Sequence, residues 1–325
     1  MLRTRFTELF DLRYPIMSAP MAMHSGAALA TAVSSAGALG SFGGINPRGP
    51  EWIASEVAAL RTQTDRPFAV GFITPFLEFG APLFEATLAA SVPIVMFSFS
   101  DPRPWIAQAA ATGARTICQV QTPAGADLAV EAGADVIVAQ GTEAGGHTGE
   151  MSLLPLLAAV TARHPDVPVL AAGGIADGRT LAGALTAGAD GAVLGTAFLA
   201  TPEAVQVHDV HKELIVDSDG ADTVRTRAFD IVSGLPWPEA IGERVYRNSF
   251  TDQWAGCEAE LQQRRAEFTG ANPFLVEDPD PKTEPMAYGQ GAGFVDAVRP
   301  AADVLQRICD AAEAILRSRP ATLLD

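Results

Sequence analysis

Between residues 15 and 200, eight short apolar runs alternate with longer alanine-rich segments, and no other feature constrains the fold of this 325-residue chain so strongly. Three of the alanine-rich segments end in Ala-Gly-Ala, where the glycine can end a helix and the next strand can begin at once. The pattern therefore predicts eight strands, each followed by a helix. The predicted strands are Pro15–Ala19, Ala38–Phe42, Phe68–Phe72, Ile94–Phe97, Thr116–Val120, Val136–Ala139, Val169–Ala171 and Ala192–Leu194.

These runs are apolar throughout rather than at alternate residues. That composition is typical of strands in a parallel sheet that is buried on both faces. Eight such strand–helix units in succession predict a (β/α)8 TIM barrel, a fold of the α/β class. A doubly wound dinucleotide-binding sheet is disfavoured because no Gly-x-Gly-x-x-Gly follows the first strand.

The region from residue 206 to residue 285 breaks the alternation and carries sixteen acidic against eight basic side chains. It is predicted to be a small, mainly helical subdomain, inserted after the eighth strand on the substrate side. Residues 1–205 and 286–325 are assigned to the barrel. The chain is expected to close with a helix over Phe294–Arg317, because the apolar residues there have helical spacing.

The formal net charge of −16 argues against nucleic acid and against an anionic membrane as partners. No apolar run reaches the ~20 residues of a membrane-spanning helix, and the first residues do not resemble a signal peptide, so cytoplasmic residence is expected. The three cysteines stand far apart and form no metal-binding spacing, so no metal site is expected. A small-molecule substrate is the expected partner, and a homo-oligomer is compatible with the sequence.

The loop from Gln140 to Gly149 is the strongest candidate for chemistry. It follows the sixth predicted strand and contains four glycines, which allow sharp turns and close approach to a ligand. Loops that follow the strands of such barrels form the active site, so His147 is predicted to be catalytic and Glu143 to brace the loop. His24, after the first strand, is a second candidate, and the other three histidines are expected to be solvated.

The loops after the seventh and eighth strands predict a phosphate-binding site. Gly173 and Gly174 follow the seventh strand, and Gly195 and Thr196 follow the eighth. In (β/α)8 barrels these two loops commonly bind phosphate through backbone N–H groups, and Thr196 adds a hydroxyl donor. Such a site needs few basic side chains, which suits a chain with only 22 Lys and Arg residues.

Two further groups of residues match a planar ring such as a flavin. Ala19, Pro20 and Met21 end the first strand and could form a flat apolar wall with one exposed backbone N–H. Gln119 and Gln140 end the fifth and sixth strands. An amide side chain both donates and accepts, which suits the carbonyl and N–H edge of a flavin's pyrimidine ring.

Taken together, these segments resemble the nitronate monooxygenase family, formerly the 2-nitropropane dioxygenases, which are FMN-dependent barrels with a small inserted substrate domain. The resemblance spans nearly the whole chain, and the Gln-Gly-x-Glu-Ala-Gly-Gly-His run is its most specific motif. It implies FMN as the cofactor, His147 as the active-site histidine, and Ala19 to Met21 beside the reactive edge of the flavin. The further FMN contacts that it implies are Gln140, Gly145, Gly174, Val193, Leu194, Gly195, Thr196 and, in the closing loop, Gln290.

One position departs from the family pattern. Many members end the third strand with an asparagine that meets the flavin, and this chain has Gly71 there. Gly71 is still expected to lie beside the cofactor, but the polar contact of the asparagine is missing.

The function that the resemblance implies is oxidation of alkyl nitronates by FMN, with O2 reoxidising the flavin. A protonated His147 would bind the negative charge of a nitronate, whereas a neutral His147 would act as general base towards a nitroalkane. Two alternatives stay open. One is an FMN-dependent reductase of quinones or enoyl thioesters that uses NAD(P)H. The other is a flavin-binding protein without turnover, which the intact His147 loop disfavours.

Overall fold

The computed structural model of the protein describes residues 1–268 and 279–324, and eight of its strands form one parallel sheet. Each predicted strand is present, with ends within two residues of the predicted ones. A further short strand, β7 (Gly146–Thr148), lies in the loop that carries His147 and belongs to a second sheet. The strands of the large sheet are β1 (Ile16–Ser18), β2 (Gly40–Gly43), β3 (Phe68–Ile73), β4 (Ile94–Ser98), β5 (Arg115–Val120), β6 (Val136–Gln140), β8 (Val169–Ala172) and β9 (Gly191–Leu194).

The large sheet closes on itself. Its strand order is β1-β9-β8-β6-β5-β4-β3-β2, and every pair is parallel. Leu39, just before β2, completes the ring. Its N–H donates to the carbonyl oxygen of Ile16 at 2.9 Å, and its own carbonyl accepts from the N–H of Ser18 at 3.0 Å. The TIM-barrel prediction is therefore confirmed.

One helix precedes the first strand, helices follow the barrel strands and cover their outer face, and further helices lie in the insert. In chain order, the helices are α1 (Arg5–Phe10), α2 (Ala27–Ala36), α3 (Pro50–Arg61), α4 (Ala81–Ala89), α5 (Arg103–Ala111), α6 (Pro123–Glu131), α7 (Leu153–Arg163), α8 (Gly178–Thr186), α9 (Thr196–Leu199), α10 (Asp209–Asp217), α11 (Ala228–Ser233), α12 (Ser249–Trp254), α13 (Glu258–Arg264), α14 (Ala301–Ser318) and α15 (Pro320–Leu323). Short 3₁₀ turns cover residues 74–76, 265–268 and 290–294. No helix in residues 1–268 or 279–324 has both the length and the apolar character to cross a membrane.

The core has two layers because successive residues of a strand point to opposite faces. In β4, Ile94 and Met96 point into the barrel, where they share an apolar cluster with Phe6 of α1. Val95 and Phe97 point outwards and pack among the helices. The apolar runs of the sequence are thus buried on both sides, as their composition predicted.

The closing helix starts later than the sequence indicated. The prediction began it at Phe294, but α14 begins at Ala301. Pro300 lies before it in an extended conformation with ψ of 142°. A proline has no N–H to continue a helix and disfavours helical backbone in the residue before it, so the apolar spacing upstream of Pro300 belongs to a 3₁₀ turn and a loop.

The region after the barrel contains strands that the sequence did not reveal. β10 (Thr223–Thr226) and β11 (Gly242–Tyr246) pair antiparallel, and β11 also pairs antiparallel with β7 from the His147 loop. Polar residues dominate both strands, so neither gives an apolar run. Residues 269–278 of the predicted insert lie outside the described residues, and its boundaries remain a prediction.

Candidate active site

The loop that carries His147 is fixed where the barrel strands end. Gln140, the last residue of β6, donates from its side-chain Nε2 to the carbonyl oxygen of His147 at 3.0 Å. Thr148 Oγ1 donates to the carbonyl oxygen of Gly141 at 2.9 Å. These two bonds join the ends of the loop, and the pairing of β7 with β11 then fixes its middle.

The same loop packs backbone to backbone against the segment that returns from the insert. A Cβ added to Gly145 would lie 2.4 Å from the backbone nitrogen of Gly289, so a side chain there would separate the two segments. The N–H of Gln290 donates to the carbonyl oxygen of Glu143 at 3.0 Å, while the Gln290 side chain is exposed. Gly145 and Gln290 thus have packing roles, and their contacts with a cofactor remain predictions.

His147 lies between an acidic and an aromatic partner. Its Nε2 is 2.9 Å from Oδ1 of Asp230, and its side chain is 12% exposed. The imidazole stacks on the indole of Trp237, with ring centroids 3.5 Å apart and planes 10° from parallel. Phe99, just after β4, presents a ring edge to both and has a φ of 75°. Such backbone strain in a non-glycine residue is most common at functional sites.

A second carboxyl group lies beside this pair. Glu243 is directly opposite His147 in the pairing of β11 with β7. An imidazole nitrogen of His147 and one carboxylate oxygen each of Asp230 and Glu243 all lie within 4.8 Å of one another. Asp230 and Glu243 are each 3% exposed. Burial, and then the charge of Asp230, raise the pKa of Glu243 well above its ordinary value of 4.5.

Asp230, Trp237 and Glu243 all come from the predicted insert, and the sequence analysis did not single them out. The signal that could have located Glu243 is weak. It is a polar strand, Gly242–Tyr246, whose partner lies in a glycine-rich loop about a hundred residues earlier. Glu143, in contrast, behaves as predicted. Both of its carboxylate oxygens accept from the N–H of Leu153 at the start of α7, at 3.0 and 3.1 Å.

The two predicted phosphate loops present backbone donors without partners. Gly173 and Gly174 have φ values of 110° and 68°, which glycine adopts readily. Among the described residues, the N–H groups of Gly174 and Thr196 have no acceptor. Thr196 Oγ1 accepts from the N–H of Gly289 at 2.9 Å, which leaves its own hydrogen free to donate. These donors fit a phosphate.

The predicted wall after β1 is only partly covered by protein. Ala19, Pro20 and Met21 are all partly exposed, and the N–H of Met21 donates to the carbonyl oxygen of Ala19. The N–H of Ala22 has no partner within the described part of the chain, which matches the expected exposed donor. A Cβ added to Gly195 would meet Ala19 and Met21 at 3.6 Å, an ordinary contact distance.

Gly71 is explained by its neighbour. A Cβ added to Gly71 would lie 2.3 Å from Cγ of Pro20. The pyrrolidine ring of Pro20 thus fills the space that a side chain at position 71 would enter. An asparagine there would require Pro20 to move. The position of Pro20 therefore accounts for the glycine at position 71 and for the absence of the asparagine's polar contact.

The two predicted glutamine contacts differ. Gln140 is buried, and besides its bond to His147 its Oε1 accepts from Nε2 of Gln121 at 2.8 Å. Its amide mainly holds the loop. The Gln119 amide makes no hydrogen bond with any residue in 1–268 or 279–324, so it is free to meet a ligand. Val193 points into the barrel and Leu194 points towards the helices.

The second-ranked histidine belongs to a separate pair. His24 and His211 pack edge to face, with ring centroids 5.6 Å apart. Burial lowers the pKa of His24, and it lowers that of His211 to about 3. The expectation that His211 is solvated was wrong, because the helix α10 turns it inwards. Both rings are therefore neutral near pH 7.

Known proteins match this chain over most of its length. A family model described as nitronate monooxygenase matches residues 3–82 and 83–311. A nitronate monooxygenase from Metarhizium robertsii is 32% identical, and the match covers 94% of this chain and 89% of that protein. The structure of FabK from Thermotoga maritima superposes with a TM-score of 0.88 at 32% identity, and covers 99% of this chain and 100% of that one.

A third relative has a different name. The Rhodococcus jostii protein called (3aS,4S,5R,7aS)-5-hydroxy-7a-methyl-1-oxo-octahydro-1H-indene-4-carboxyl-CoA dehydrogenase is 33% identical over 72% of this chain. The chain spans 65% of the length of that relative.

Proposed function

The chain belongs to the nitronate monooxygenase family, and on that premise we propose that it is an FMN-dependent oxidoreductase that oxidises alkyl nitronates, with O2 as the final electron acceptor. The observation that carries the proposal is the environment of His147. Its imidazole lies where the barrel strands end, bonded to Asp230 and stacked on Trp237. Catalytic groups of such barrels come from this end.

The residues proposed to hold FMN fall into two sets. Free backbone N–H groups at Gly174 and Thr196, together with Gly173 and Gly195, support a phosphate contact. The partly exposed wall of residues 19–21 and the free amide of Gln119 support a contact with the ring system. When bound, FMN supplies the acceptor for the electrons of the substrate and passes them to O2.

FMN is favoured over FAD because the described residues offer one phosphate cradle and no second one for an adenine nucleotide. The further contacts proposed are Gly71, Gln140, Gly145, Val193, Leu194 and Gln290. Residues 206–285 are proposed as the substrate-side subdomain, since Asp230 and Trp237 reach His147 from there.

His147 has a different task for each form of the substrate. A nitronate is an anion in a protein of net charge −16, and a protonated imidazole supplies a positive charge beside it. A nitroalkane is neutral, and a neutral imidazole then removes the proton from the carbon next to the nitro group. In both cases the ring must be held in a fixed plane, which Asp230 and Trp237 do.

A second candidate function is reduction or dehydrogenation of a thioester on the same barrel. The specific observation in its favour is the 33% identity to the Rhodococcus jostii relative, whose name specifies a CoA thioester. In that case His147 would donate a hydrogen bond to the thioester carbonyl, and NAD(P)H would reduce the flavin.

One experiment separates the two candidates. The purified protein is mixed anaerobically with an alkyl nitronate, NADH or NADPH while the flavin absorbance is followed, and O2 is then admitted. Rapid bleaching by the nitronate and recovery with O2 is the expected result. Bleaching by NAD(P)H alone, with no response to nitronate, would support the thioester enzyme instead. A colourless protein that does not bind added FMN would contradict both.

A further inference from the structure

Asp230 and Glu243 form a buried carboxyl pair whose charges are not matched by basic groups. Within residues 1–268 and 279–324, His147 is the one basic side chain that forms an ion pair with Asp230. No basic side chain in those residues lies within ion-pair distance of Glu243. Asp230 Oδ2 and Glu243 Oε2 are both buried and have no hydrogen-bond partner there. A buried ionised carboxylate without a partner is very costly.

Two arginines on the neighbouring strands bond to other groups. On β11, Arg244 donates to the carbonyl oxygen of Thr142 and to Thr223 Oγ1. On β10, Arg225 bonds the carbonyl oxygens of Thr148 and Ala240 and lies near the exposed Glu150.

Two further elements border the pair. On α13, Glu258 accepts from Oγ1 of Thr226, the residue opposite Glu243 on β10. Just before α11, Arg227 has a buried Nε without a partner, but it forms no ion pair with Asp230 or Glu243. Among residues 1–268 and 279–324, no side chain of a neighbouring element forms an ion pair with Glu243, and His147 alone forms one with Asp230.

We propose that Asp230 and Glu243 hold one proton between them, carried by Glu243, so that ionised Asp230 accepts the Nε2–H of His147 and leaves Nδ1 as the atom that removes the substrate proton. This assignment rests on the proposed function. Nδ1 has no hydrogen-bond partner among the described residues, so it is available. Asp230 and Glu243 act through His147 and are positioning residues.

The proton transfer balances without a further reactant. The C–H bond of the nitroalkane breaks, its electron pair moves into the nitronate, and the proton forms a bond with Nδ1. The imidazolium that results is stabilised by ionised Asp230, as an orienting carboxylate does for a catalytic histidine. With Glu243 neutral, the total charge of His147, Asp230 and Glu243 changes from −1 to zero when His147 takes the proton. The site therefore does not repel the nitronate that is formed.

The tautomer can be measured without turnover. Two-bond ¹H–¹⁵N correlation spectra of the imidazoles, with His147 assigned from the His147→Asn variant, distinguish Nε2–H from Nδ1–H. Wild type and Glu243→Gln are expected to show the Nε2–H tautomer, since glutamine mimics a protonated glutamate. Asp230→Asn is expected to lose the preference. An Nδ1–H tautomer in the wild type would overturn the proposal whatever the enzyme's activity proves to be.

The kinetic test compares the same variants on both forms of the substrate. Asp230→Asn should lower kcat for the nitroalkane by up to about 10⁴-fold, the loss found when the carboxylate that orients a catalytic histidine is replaced by an amide, and should affect nitronate oxidation much less. Glu243→Gln should lower kcat for the nitroalkane far less than Asp230→Asn does, because glutamine mimics a protonated glutamate. Glu239→Gln, an exposed change in the same region, is the control.

Two results would overturn this assignment. One is a loss in Glu243→Gln as large as that in Asp230→Asn, which would mean that Glu243 works as a carboxylate. The other is a divalent cation retained by the purified protein and lost in both variants. Inactivity of the wild type towards both nitro compounds, with the Nε2–H tautomer intact, would overturn the proposed function and leave the proton assignment standing.

Discussion

The barrel and the insert contribute to the site in different ways. The barrel offers backbone atoms and shape, with free N–H groups at Gly174 and Thr196 and an apolar wall at residues 19–21. The insert offers buried side chains, namely Asp230, Trp237 and Glu243, around a histidine that the barrel supplies. Together with the proposed function, this comparison leads us to propose a division of labour in which the barrel holds the cofactor and the insert sets the chemistry of His147.

The largest expected effect tests the role of the barrel by a substitution that leaves the insert unchanged. Gly174→Asp places a carboxylate at the proposed phosphate site and a side chain where φ is 68°, so flavin binding should be abolished because like charges repel. Flavin content and circular dichroism are measured. Gly113→Asp is the control, since Gly113 has a φ of 84° and open space around it. Native flavin content in Gly174→Asp would show that the phosphate loop is misassigned.

The next largest effect should come from His147, where the two regions meet. His147→Asn cannot take a proton, so turnover of a neutral nitroalkane should fall by about 10²–10⁴-fold. Oxidation of preformed nitronate should fall much less, and FMN content should not change. His164→Asn is the control, because His164 follows the last residue of α7 and its ring bonds Asp127 on α6. Equal losses on both substrates would leave His147 as a binding group only.

A smaller effect should follow from removing the stacking surface on the insert side. Trp237→Leu removes the indole beneath His147, and an aromatic pair is worth about 0.5–1.5 kcal/mol, or about two- to tenfold in rate. The loss should appear in kcat for the nitroalkane and leave the flavin spectrum unchanged. Trp105→Leu, on α5 beside Phe84, controls for loss of a tryptophan. A loss of flavin in Trp237→Leu would contradict the division between the regions.

The smallest expected effect concerns stability. Because burial raises the pKa of Glu243 well above its ordinary value of 4.5, the folded protein holds a proton that the unfolded chain releases above that pH. The contribution of Glu243 to the free energy of unfolding therefore decreases as the pH rises from that value towards the raised pKa. Glu243→Gln cannot lose this proton, so its Tm should rise relative to wild type as pH increases. Glu239→Gln should show no such trend, and a trend shared by both would contradict the prediction.

The sequence predicted the barrel well because the physics of its strands is local. Apolar runs such as Val136–Ala139 report burial on both faces, and glycines such as Gly173 report a turn beside a strand end. The predicted first residue of α14 lay too near the N-terminus, because the spacing of apolar residues does not take into account that Pro300 interrupts a helix. His147 was found because its loop is rich in glycine.

The partners of His147 could not be predicted for the opposite reason. Glu243 lies in a polar strand that resembles solvated surface, and it comes to lie opposite His147 through the pairing of β11 with β7. Asp230 is a single carboxyl group among the apolar residues of α11, and nothing in that short segment indicates a distant histidine as its partner. A one-dimensional pattern carries no sign of a pairing between distant, short and polar strands. The role of Pro20 in filling the space at Gly71 was hidden in the same way.

The pairing of β7 with β11 also bears on the order of events in folding. Contacts between residues far apart in sequence form late, because a long loop must close before they are gained. His147 and Glu243 are about a hundred residues apart, whereas each barrel strand from β2 to β6 pairs with the next one along the chain. The strands from β2 to β6 should therefore pair first. The closure of the ring by β1 and β9, which joins Ile16 to Ala192, and the pairing of β7 with β11 should both follow. A newly made chain would then pass through a stage in which part of the barrel is paired while the surroundings of His147 are still incomplete.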